Sequence, residues 1–331
     1  MNILFSGGTG FFGKAVLRYL TALDEHVREA VVTHVTVLSR NPERLLDRHP
    51  AFSALPWLTF HRGDIEVPES LPRGEDFTHI LHAAADSTNV RDLDAWQRYE
   101  QITCGTKNLL QFAADRGIRR FLLTSSGGVY GAQPADLDII PETYHGMPDP
   151  LHAANAYGVA KRQAEHLCAL YADRFGIEPV IARCFAFVGE DLPLDVHFAI
   201  GNFIRDALFR DEITVNGDGS PIRSYMDQAE LARWLLVMLR HGEAGRAYNV
   251  GGQEPVTLLD AARLVSSVLG NDKPVRVLGQ TGSDNPTRNR YVPDLSRAAN
   301  ELRLVNEIDL KEALRRAGHG IRMHPGHSLY R

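Results

Sequence analysis

Short apolar runs alternate with longer amphipathic stretches over the first half of the chain. The runs are rich in β-branched residues, as in strands buried on both faces of a sheet, and the longer stretches have helical spacing. Strands and helices in crossover units predict an α/β fold with a doubly wound, Rossmann-type parallel sheet. The predicted strands are Ile3–Phe5, Val31–Leu38, Trp57–His61, Thr78–His82, Arg119–Ser125 and Glu178–Arg183, and the helices are Lys14–Leu23, Asp92–Arg116 and a stretch from Tyr157 to Phe175 that stops at Gly176.

The alternation is lost in the second half of the chain, where strands are short and helices follow at irregular intervals. We therefore predict a dinucleotide-binding domain over residues 1–185 and a smaller α+β substrate lobe over 186–331, interleaved with the first domain. Its predicted elements are Phe198–Phe209, Thr214–Ser220, Asp227–Leu239, Ala247–Val250, Thr257–Leu269 and two helices near 294–302 and 309–317.

A glycine-rich turn, Gly7-Gly-Thr-Gly10-Phe-Phe-Gly13, lies between the first strand and the first helix. In a dinucleotide site the first glycine allows a tight turn, the second admits a pyrophosphate to the backbone, and the third allows close packing of helix on strand. Glycine loops also serve plain turns, but the strand before and the helix after this one favour a cofactor site. The predicted contacts include Thr9, Phe11 and Phe12.

The second strand ends in Ser39-Arg40, without the acidic residue that would bind a free ribose 2′-hydroxyl. An arginine suits a 2′-phosphate, which favours NADP(H) and leaves NAD(H) as the alternative. Arg40 as a solvated loop residue is the other interpretation.

Further cofactor contacts are predicted where the later strands end. Asp64 is placed to accept a hydrogen bond from adenine, although a turn-capping role is nearly as plausible. His82 is interpreted as a packed histidine rather than a ligand. The remaining predicted contacts are Ile65, Ala83, Ala84, Ala85 and Thr124.

Tyr157 and Lys161 lie four residues apart, so that both side chains rise from one face of a helix. A nearby ammonium favours the phenolate and lowers the pKa of a tyrosine, which allows acid–base catalysis near neutral pH. The same spacing occurs by chance on many helices, and the upstream motifs favour the catalytic interpretation.

Composition sets limits on the functional class. The chain has 331 residues and a net charge of −5, which argues against nucleic acid as a partner. No apolar run approaches the length of a transmembrane helix, and no signal peptide is evident, so we expect a cytoplasmic protein away from the membrane. The three cysteines, Cys104, Cys168 and Cys184, form no CxxC motif. The tail Gly318–Arg331 is expected to be a loose segment, and it holds His319, His324 and His327. We therefore predict no metal site.

Taken together, the glycine turn, Ser126 after the fifth strand and Tyr157-x-x-x-Lys161 resemble the extended short-chain dehydrogenase/reductases, the NAD-dependent epimerase/dehydratase family. Downstream segments resemble the family as well: Arg183-Cys-Phe-Ala-Phe-Val-Gly189, Gly217-Asp-Gly-Ser-Pro-Ile-Arg223, Tyr248-Asn-Val-Gly251 and Arg290-Tyr-Val-Pro-Asp294. The resemblance covers nearly the whole chain and implies a homodimer that acts on a nucleotide-diphosphate sugar.

The resemblance also implies roles for individual residues. Tyr157 exchanges a proton with a sugar oxygen, Ser126 binds the same oxygen, and Lys161 binds the nicotinamide ribose and lowers the pKa of Tyr157; Tyr157 and Lys161 thus also contact the cofactor. Arg223 and Arg290 are expected to clamp the diphosphate, a task suited to guanidinium. Ser87 and Asn202 are weaker substrate candidates.

Three departures from the family pattern narrow the reaction. Gly127 and Gly128 stand where the dehydratases carry the Asp and Glu that eliminate water, so a 4,6-dehydratase is disfavoured. Ala186 replaces an asparagine that often contacts substrate, and Ile102 replaces an asparagine that often relays protons.

Two enzyme hypotheses remain. The favoured one is an NADPH-dependent reductase of a 4-keto-6-deoxy nucleotide sugar, and the alternative is a C4 epimerase with tightly bound NAD. A non-catalytic NAD(P)-binding regulator is a distant third, because it has no need of Tyr157.

Overall fold

A computed structural model describes residues 1–85, 93–279 and 290–323. The first half contains β1 (Asn2–Ser6), α1 (Phe11–Ala22), α2 (Glu25–Val31), β2 (His34–Ser39), α3 (Glu43–Arg48), β3 (Leu58–Arg62), β4 (His79–His82), α4 (Ala95–Asp115), β5 (Arg120–Ser126), α5 (Ala156–Phe175) and β6 (Glu178–Cys184). Short 3₁₀ segments lie at Pro50–Ala54, Pro68–Ser70, Gly127–Tyr130 and Ala153–Asn155.

The second half contains shorter elements. They are β7 (Phe187–Val188), α6 (Ala199–Phe209), β8 (Ile213–Val215), β9 (Ile222–Arg223), β10 (Met226–Asp227), α7 (Gln228–His241), β11 (Arg246–Val250), β12 (Val256–Thr257), α8 (Leu258–Leu269), β13 (Val275–Val277), β14 (Arg290–Tyr291), α9 (Ser296–Leu302) and α10 (Leu310–Met323).

The predicted doubly wound sheet is confirmed. Within the described residues it has seven strands in the order β11-β6-β5-β4-β1-β2-β3, and every pairing is parallel. The strand order reverses between β1 and β4, where open α/β sheets bind ligands at the carboxyl ends of their strands. Helices α1 and α7 pack together on one face, and α4 and α5 on the other.

The seventh strand comes from the second half of the chain. β11 pairs with β6, Arg246 opposite Val180 and Val250 opposite Cys184, so this strand extends the main sheet rather than the lobe. The smaller lobe has its own core, to which α6, α8 and α10 contribute. The division at residue 185 stays a prediction. Residues 228–250 pack with the first domain, so a boundary that follows the packing assigns them to it.

Several element boundaries differ from the sequence-based prediction, and two of them have a clear reason in the packing. Residues 31–33 are not in β2, because Glu25–Val31 forms a helix in which the Arg28 guanidinium lies over the Trp57 ring, 5.2 Å from its centroid. At the other end of the chain, α10 continues through Gly318 to Met323, where a loose tail was predicted. Gly318 packs on α8, since a Cβ there would lie 2.4 Å from a methyl carbon of Leu269.

Candidate active site

The glycine-rich turn joins β1 to α1 at the switch point of the sheet. Gly7 has a φ of +81°, and a Cβ on it would lie 2.5 Å from the carbonyl carbon of Ala83 at the end of β4. A Cβ on Gly13 would lie 2.1 Å from the carbonyl group of Gly8, so the helix can approach the turn only with glycine at this position.

Gly10 behaves differently, because it is exposed and a Cβ on it would meet only the Gly7 oxygen, at 3.5 Å. It is the N-cap of α1 and provides no capping side chain. The first amides of a helix lack intrahelical acceptors and attract anions. The turn therefore offers an open backbone cradle with donors, which fits the pyrophosphate of a dinucleotide.

Three side chains of the glycine-rich turn make different contacts: that of Thr9 is polar, and those of Phe11 and Phe12 pack on another ring. The Thr9 hydroxyl lies 3.4 Å from that of Ser39 and joins the turn to the end of β2. The rings of Phe11 and Phe12 pack on Phe187, with centroids 6.4 and 5.3 Å apart, respectively. The two phenylalanines can therefore meet a cofactor through their backbone amides rather than their rings.

Arg40 is exposed and makes no hydrogen bond or ion pair with any residue that the structure describes. The sequence shows no carboxylate directly after β2, but the fold brings Glu66, from the loop after β3, within electrostatic range of Arg40. Burial and the neighbouring Asp64 raise the pKa of Glu66, and Arg40 opposes this. Sequence spacing could not reveal this neighbour.

Asp64 has a local structural role. One of its carboxylate oxygens accepts the amide of Glu66 at 3.0 Å, and its own amide donates to the Ser70 hydroxyl at 2.8 Å. The side chain of Ile65 fills the space next to Gly105 on α4, and its carbonyl accepts from the Asn108 side chain at 2.9 Å. Both residues shape the loop that follows β3.

The end of β4 lies beside the glycine turn, as the sequence predicts. Ala83 donates its amide to the Ser6 carbonyl at 2.9 Å, and Ala84 and Ala85 are partly buried. His82 is a packed histidine: its ring nitrogens lie 2.7 Å from the Ser6 hydroxyl and 3.0 Å from that of Thr106. Burial, with a smaller effect of Lys161, lowers the pKa of His82 to about 3.

Ser125 and Ser126 point to opposite sides at the end of β5, as successive strand residues must. The Ser125 hydroxyl donates to Glu165 at 2.5 Å, inside an ion pair between Glu165 and Arg183. The Ser126 hydroxyl accepts the Gly128 amide at 3.0 Å and lies near enough to Tyr157 to lower the pKa of the phenol. The structure thus brings Ser126, rather than Ser125, to the phenol.

Lys161 lies on the same helix face as Tyr157, but its ammonium donates to the Thr124 carbonyl at 2.7 Å. Its nitrogen is 5.9 Å from the centroid of the Tyr157 ring. Burial lowers the pKa of this lysine to about 8. Thr124 therefore meets Lys161 through its backbone, while its hydroxyl donates to the His82 carbonyl at 3.2 Å.

The pKa of Tyr157 differs from the sequence-based expectation. Burial and the neighbouring Tyr291 raise it well above the ordinary value for tyrosine, while Ser126 and Arg98 lower it by smaller amounts. The Lys161 ammonium, by contrast, is directed to the Thr124 carbonyl. Tyr157 is consequently a protonated phenol at neutral pH.

Aromatic rings fill the space beside Gly127, whereas a Cβ on Gly128 would lie 3.3 Å from the Ser126 hydroxyl oxygen. A Cβ on Gly127 would lie 2.5 Å from the Tyr291 hydroxyl and 2.9 Å from the Phe185 ring. Tyr291 stacks on Phe185 with centroids 4.5 Å apart. In the sequence, Tyr291 stands out only as part of the motif Arg290-Tyr-Val-Pro-Asp294. Its contact with Gly127, far away in the chain, shows that it belongs to this site.

The predicted diphosphate clamps lie on neighbouring strands, since β9 pairs with β14 and Arg223 is opposite Tyr291. The Arg223 guanidinium is 5.9 Å from the Tyr291 ring centroid. Arg290 forms an ion pair with the exposed Asp138 at 3.4 Å. Asn202 uses both ends of its amide, donating to the Val196 carbonyl at 3.0 Å and accepting from Arg205 at 3.0 Å.

Some predictions concern residues that the structure does not describe: Ser87, His324 and His327. Over 1–85, 93–279 and 290–323, no group of three or more His, Cys, Asp or Glu side chains could hold a metal ion. In the same ranges, no helix is long and apolar enough to cross a lipid bilayer.

Comparison with known proteins agrees with the fold. Residues 3–251 match the NAD dependent epimerase/dehydratase family. UDP-glucuronic acid decarboxylase 1 of Arabidopsis thaliana is 28% identical over 317 residues, which cover 96% of this chain and 68% of that protein.

Two solved structures share the fold over nearly the full length. A double mutant of the dTDP-glucose 4,6-dehydratase DesIV from Streptomyces venezuelae, with NAD and DAU bound, is 26% identical, with a TM-score of 0.80 and coverage of 98% of both chains. RMD from Pseudomonas aeruginosa, complexed with NADPH, is 25% identical, with a TM-score of 0.76 and coverage of 97% and 99%. The chain belongs to the NAD-dependent epimerase/dehydratase family, the extended short-chain dehydrogenases/reductases that modify nucleotide sugars.

Proposed function

We propose that this enzyme reduces a 4-keto-6-deoxy nucleotide sugar with NADPH. The observation that carries this proposal is the protonated Tyr157 phenol beside Ser126 at the carboxyl edge of the sheet. A reductase needs a proton donor at neutral pH, and a tyrosine with a raised pKa is in the required form.

The proposed reaction uses these side chains in a simple order. Ser126 holds the substrate carbonyl oxygen next to the phenol, and bound NADPH would supply the hydride to the carbonyl carbon. Tyr157 gives its proton to the oxygen, which yields the alcohol and leaves a phenolate that regains a proton from water. Lys161, fixed on the Thr124 carbonyl, is placed to bind a ribose hydroxyl of the cofactor.

The choice of a 4-keto-6-deoxy sugar rests on Gly127 and Gly128. Neither glycine can remove water from a sugar, and the space at Gly127 is filled by Tyr291 and Phe185. The enzyme therefore acts after such an elimination rather than performing it. Arg223 and Arg290, on paired strands, would bind the diphosphate of the nucleotide sugar.

NADP(H) is proposed as the cofactor because Arg40 is exposed and without a hydrogen-bonded or ionic partner among the described residues. A 2′-phosphate carries nearly two negative charges, which a guanidinium binds through two parallel hydrogen bonds. The solved relatives contain either NAD or NADPH. NAD(P) is therefore the general cofactor class, and Arg40 is the residue that favours NADP(H).

The second candidate is a C4 epimerase with tightly bound NAD. The observation in its favour is Glu66, whose negative charge lies near Arg40 and would weaken the binding of a 2′-phosphate. Both reactions use Ser126, Tyr157 and Lys161, so they differ in the cofactor that the protein retains and in the net change of the sugar.

One experiment separates the two functions. The absorbance spectrum of the purified protein is recorded, and 4-keto-6-deoxy sugars linked to UDP, dTDP, CDP and GDP are then offered with NADPH or NADH. A cofactor-free protein that oxidises NADPH with one of these sugars supports the reductase. Retained NAD(H), with interconversion of a nucleotide hexose and no net cofactor turnover, would replace it with the epimerase.

A further inference from the structure

The motif Tyr248-Asn-Val-Gly251 contains a fully buried asparagine that the proposed reaction does not use. The side chain of Asn249 lies near the carboxyl end of β11. Its Nδ2 atom donates to the carbonyl oxygens of Ile140 at 2.8 Å and of Asp294 at 3.0 Å, and its Oδ1 atom accepts from the Tyr130 hydroxyl at 2.8 Å. One amide thus joins β11 to three other segments of the chain.

The partners of this side chain call for an amide. The carbonyls of Ile140 and Asp294 each need a donor, and the Tyr130 hydroxyl needs an acceptor. An asparagine side chain supplies two N–H donors and one acceptor oxygen. An aspartate of the same shape has no N–H and would turn a carboxylate toward two carbonyl oxygens. Because buried polar groups are almost always paired, these partners select asparagine.

The loop after β5 and the segment that includes β14 are also bonded to each other. The Ile140 amide donates to the Val292 carbonyl at 2.9 Å, and the Asp294 amide donates to the Ile140 carbonyl at 2.9 Å. The Oε1 atom of Gln133 accepts the Val292 amide at 3.1 Å. The loop and the segment therefore form one unit, and the buried asparagine is bonded to both parts of it.

This unit carries side chains of the candidate active site. β14 consists of Arg290 and Tyr291. Arg290 donates from Nε to the Asp138 carbonyl in the same loop at 2.6 Å. The Tyr291 hydroxyl lies 2.5 Å from the place of a Cβ on Gly127. The position of β14 relative to the end of β5 thus decides where the arginine and the tyrosine stand in the site.

We propose that Asn249 is a positioning residue for the nucleotide sugar, because it fixes β14 relative to the end of β5. Tyr130 ends the 3₁₀ segment that begins at Gly127, so the same amide is bonded to both sides of the contact between Gly127 and Tyr291. The inference rests on the proposed function, in which Arg290 binds the diphosphate. Asn249 acts on the substrate through β14.

The test compares the binding of two kinds of ligand with the exchange of two amides. Wild type and Asn249→Asp are titrated with NADPH and with UDP, dTDP, CDP and GDP. We expect the dissociation constant of the nucleoside diphosphate that wild type binds best to rise about tenfold or more, the scale of one lost charge-assisted hydrogen bond, with NADPH unchanged. Hydrogen exchange at the Ile140 and Asp294 amides is expected to become about tenfold faster or more, because the carboxylate repels both carbonyls and loosens the unit.

Arg120→Gln is the matched control, because Arg120 also binds backbone carbonyls but at the opposite edge of the sheet. Its guanidinium donates to Leu239 at 2.8 Å and to Gly242 at 3.0 Å. This variant is expected to lose stability without a change in either binding constant or in the exchange of the two amides. If Asn249→Asp does not fold, Gln133→Leu removes one bond between the loop and the segment and is expected to shift both readouts in the same direction by a smaller amount.

Two outcomes for Asn249→Asp would overturn the proposal. One is a lower melting temperature with wild-type exchange at the two amides, and the other is a loss of NADPH affinity as large as that of nucleoside diphosphate affinity. A wild type that binds none of the four nucleoside diphosphates overturns it as well.

The proposed function is judged separately, by the reduction of a keto sugar. If binding and exchange shift as expected but wild type reduces no keto sugar, Asn249 positions the nucleotide site of an enzyme with a different reaction. If wild type reduces a keto sugar and Asn249→Asp binds nucleoside diphosphates as wild type does, the function stands and the role of Asn249 is rejected.

Discussion

Gly127 and Tyr291 are 164 positions apart in the sequence, yet a Cβ on Gly127 would lie 2.5 Å from the Tyr291 hydroxyl. The ring of Tyr291 thus occupies the space that a side chain at position 127 would need. This contact joins the 3₁₀ segment that follows β5 to the distant β14.

We expect Gly127→Ala to displace Tyr291 and to lower the free energy of unfolding by about 1–3 kcal/mol, as overpacking usually does. Gly74→Ala is the control, because a Cβ there meets nothing within 4 Å. Urea unfolding compares the two variants. Equal stability of both would show that Tyr291 moves aside at no cost.

Tyr157→Phe removes the phenolic proton while the ring stays in place. We expect turnover to fall roughly a hundredfold or more, the usual scale for the loss of a general acid, with unchanged NADPH affinity. Tyr171→Phe serves as the control, since it loses one hydrogen bond to Gln111, of 3.0 Å, away from the site. Turnover of Tyr157→Phe within a few-fold of wild type would exclude Tyr157 as the proton donor.

Arg40→Ala tests the choice of cofactor. Each charge-assisted bond contributes about 1.5–3 kcal/mol, so the Michaelis constant for NADPH is expected to rise roughly ten- to a hundredfold, with little change for NADH. Arg62→Ala is the control, because this exposed arginine pairs with Glu43 at 2.7 Å. Equal losses for both cofactors would mean that Arg40 stacks on adenine, which would favour the epimerase.

His82 is predicted to make the fold sensitive to acid. Its pKa is about 3 in the folded protein and near 6.5 when unfolded, so between these values the unfolded state binds more protons. Stability contributed by neutral His82 is therefore lost as pH falls from about 6.5 to 3, by up to about 1.4 kcal/mol per pH unit. This slope is measured by urea unfolding of three proteins: wild type, His82→Gln and, as a control at an exposed histidine, His319→Gln. An equally steep slope in His82→Gln would assign the acid sensitivity to other groups.

In the sequence, the stretches that form α4 and α5 are apolar on more than one side, which predicts a homodimer through these two helices. The dimer stays a prediction, and less of this apolar surface is exposed than the sequence suggests. Leu109, Leu110 and Phe112 are buried within the subunit's own core, whereas Leu170 is 51% exposed and Phe175 is 43% exposed. Light scattering at micromolar concentration is expected to give a dimer mass for wild type and a monomer mass for Leu170→Lys.

Leu151→Lys is the control for the dimer experiment, because Leu151 is exposed but precedes α5. A monomer mass for the wild type would contradict the dimer.

The sequence by itself determined the doubly wound sheet, the glycine turn and the spacing of Tyr157 and Lys161. These are local patterns: burial on both faces selects apolar strands, and a tight turn or close backbone approach selects glycine, as at Gly7. The helix end at Gly176, with a φ of +69°, follows from the same kind of rule.

Tertiary structure alone decided what surrounds the reacting groups. It directed Lys161 to Thr124, brought Glu66 toward Arg40 and added β11 to the main sheet. Burial then raised the pKa of Tyr157 instead of lowering it. The physical reason is that pKa shifts and packing depend on distances in space between residues far apart in the chain, which spacing along the sequence does not contain.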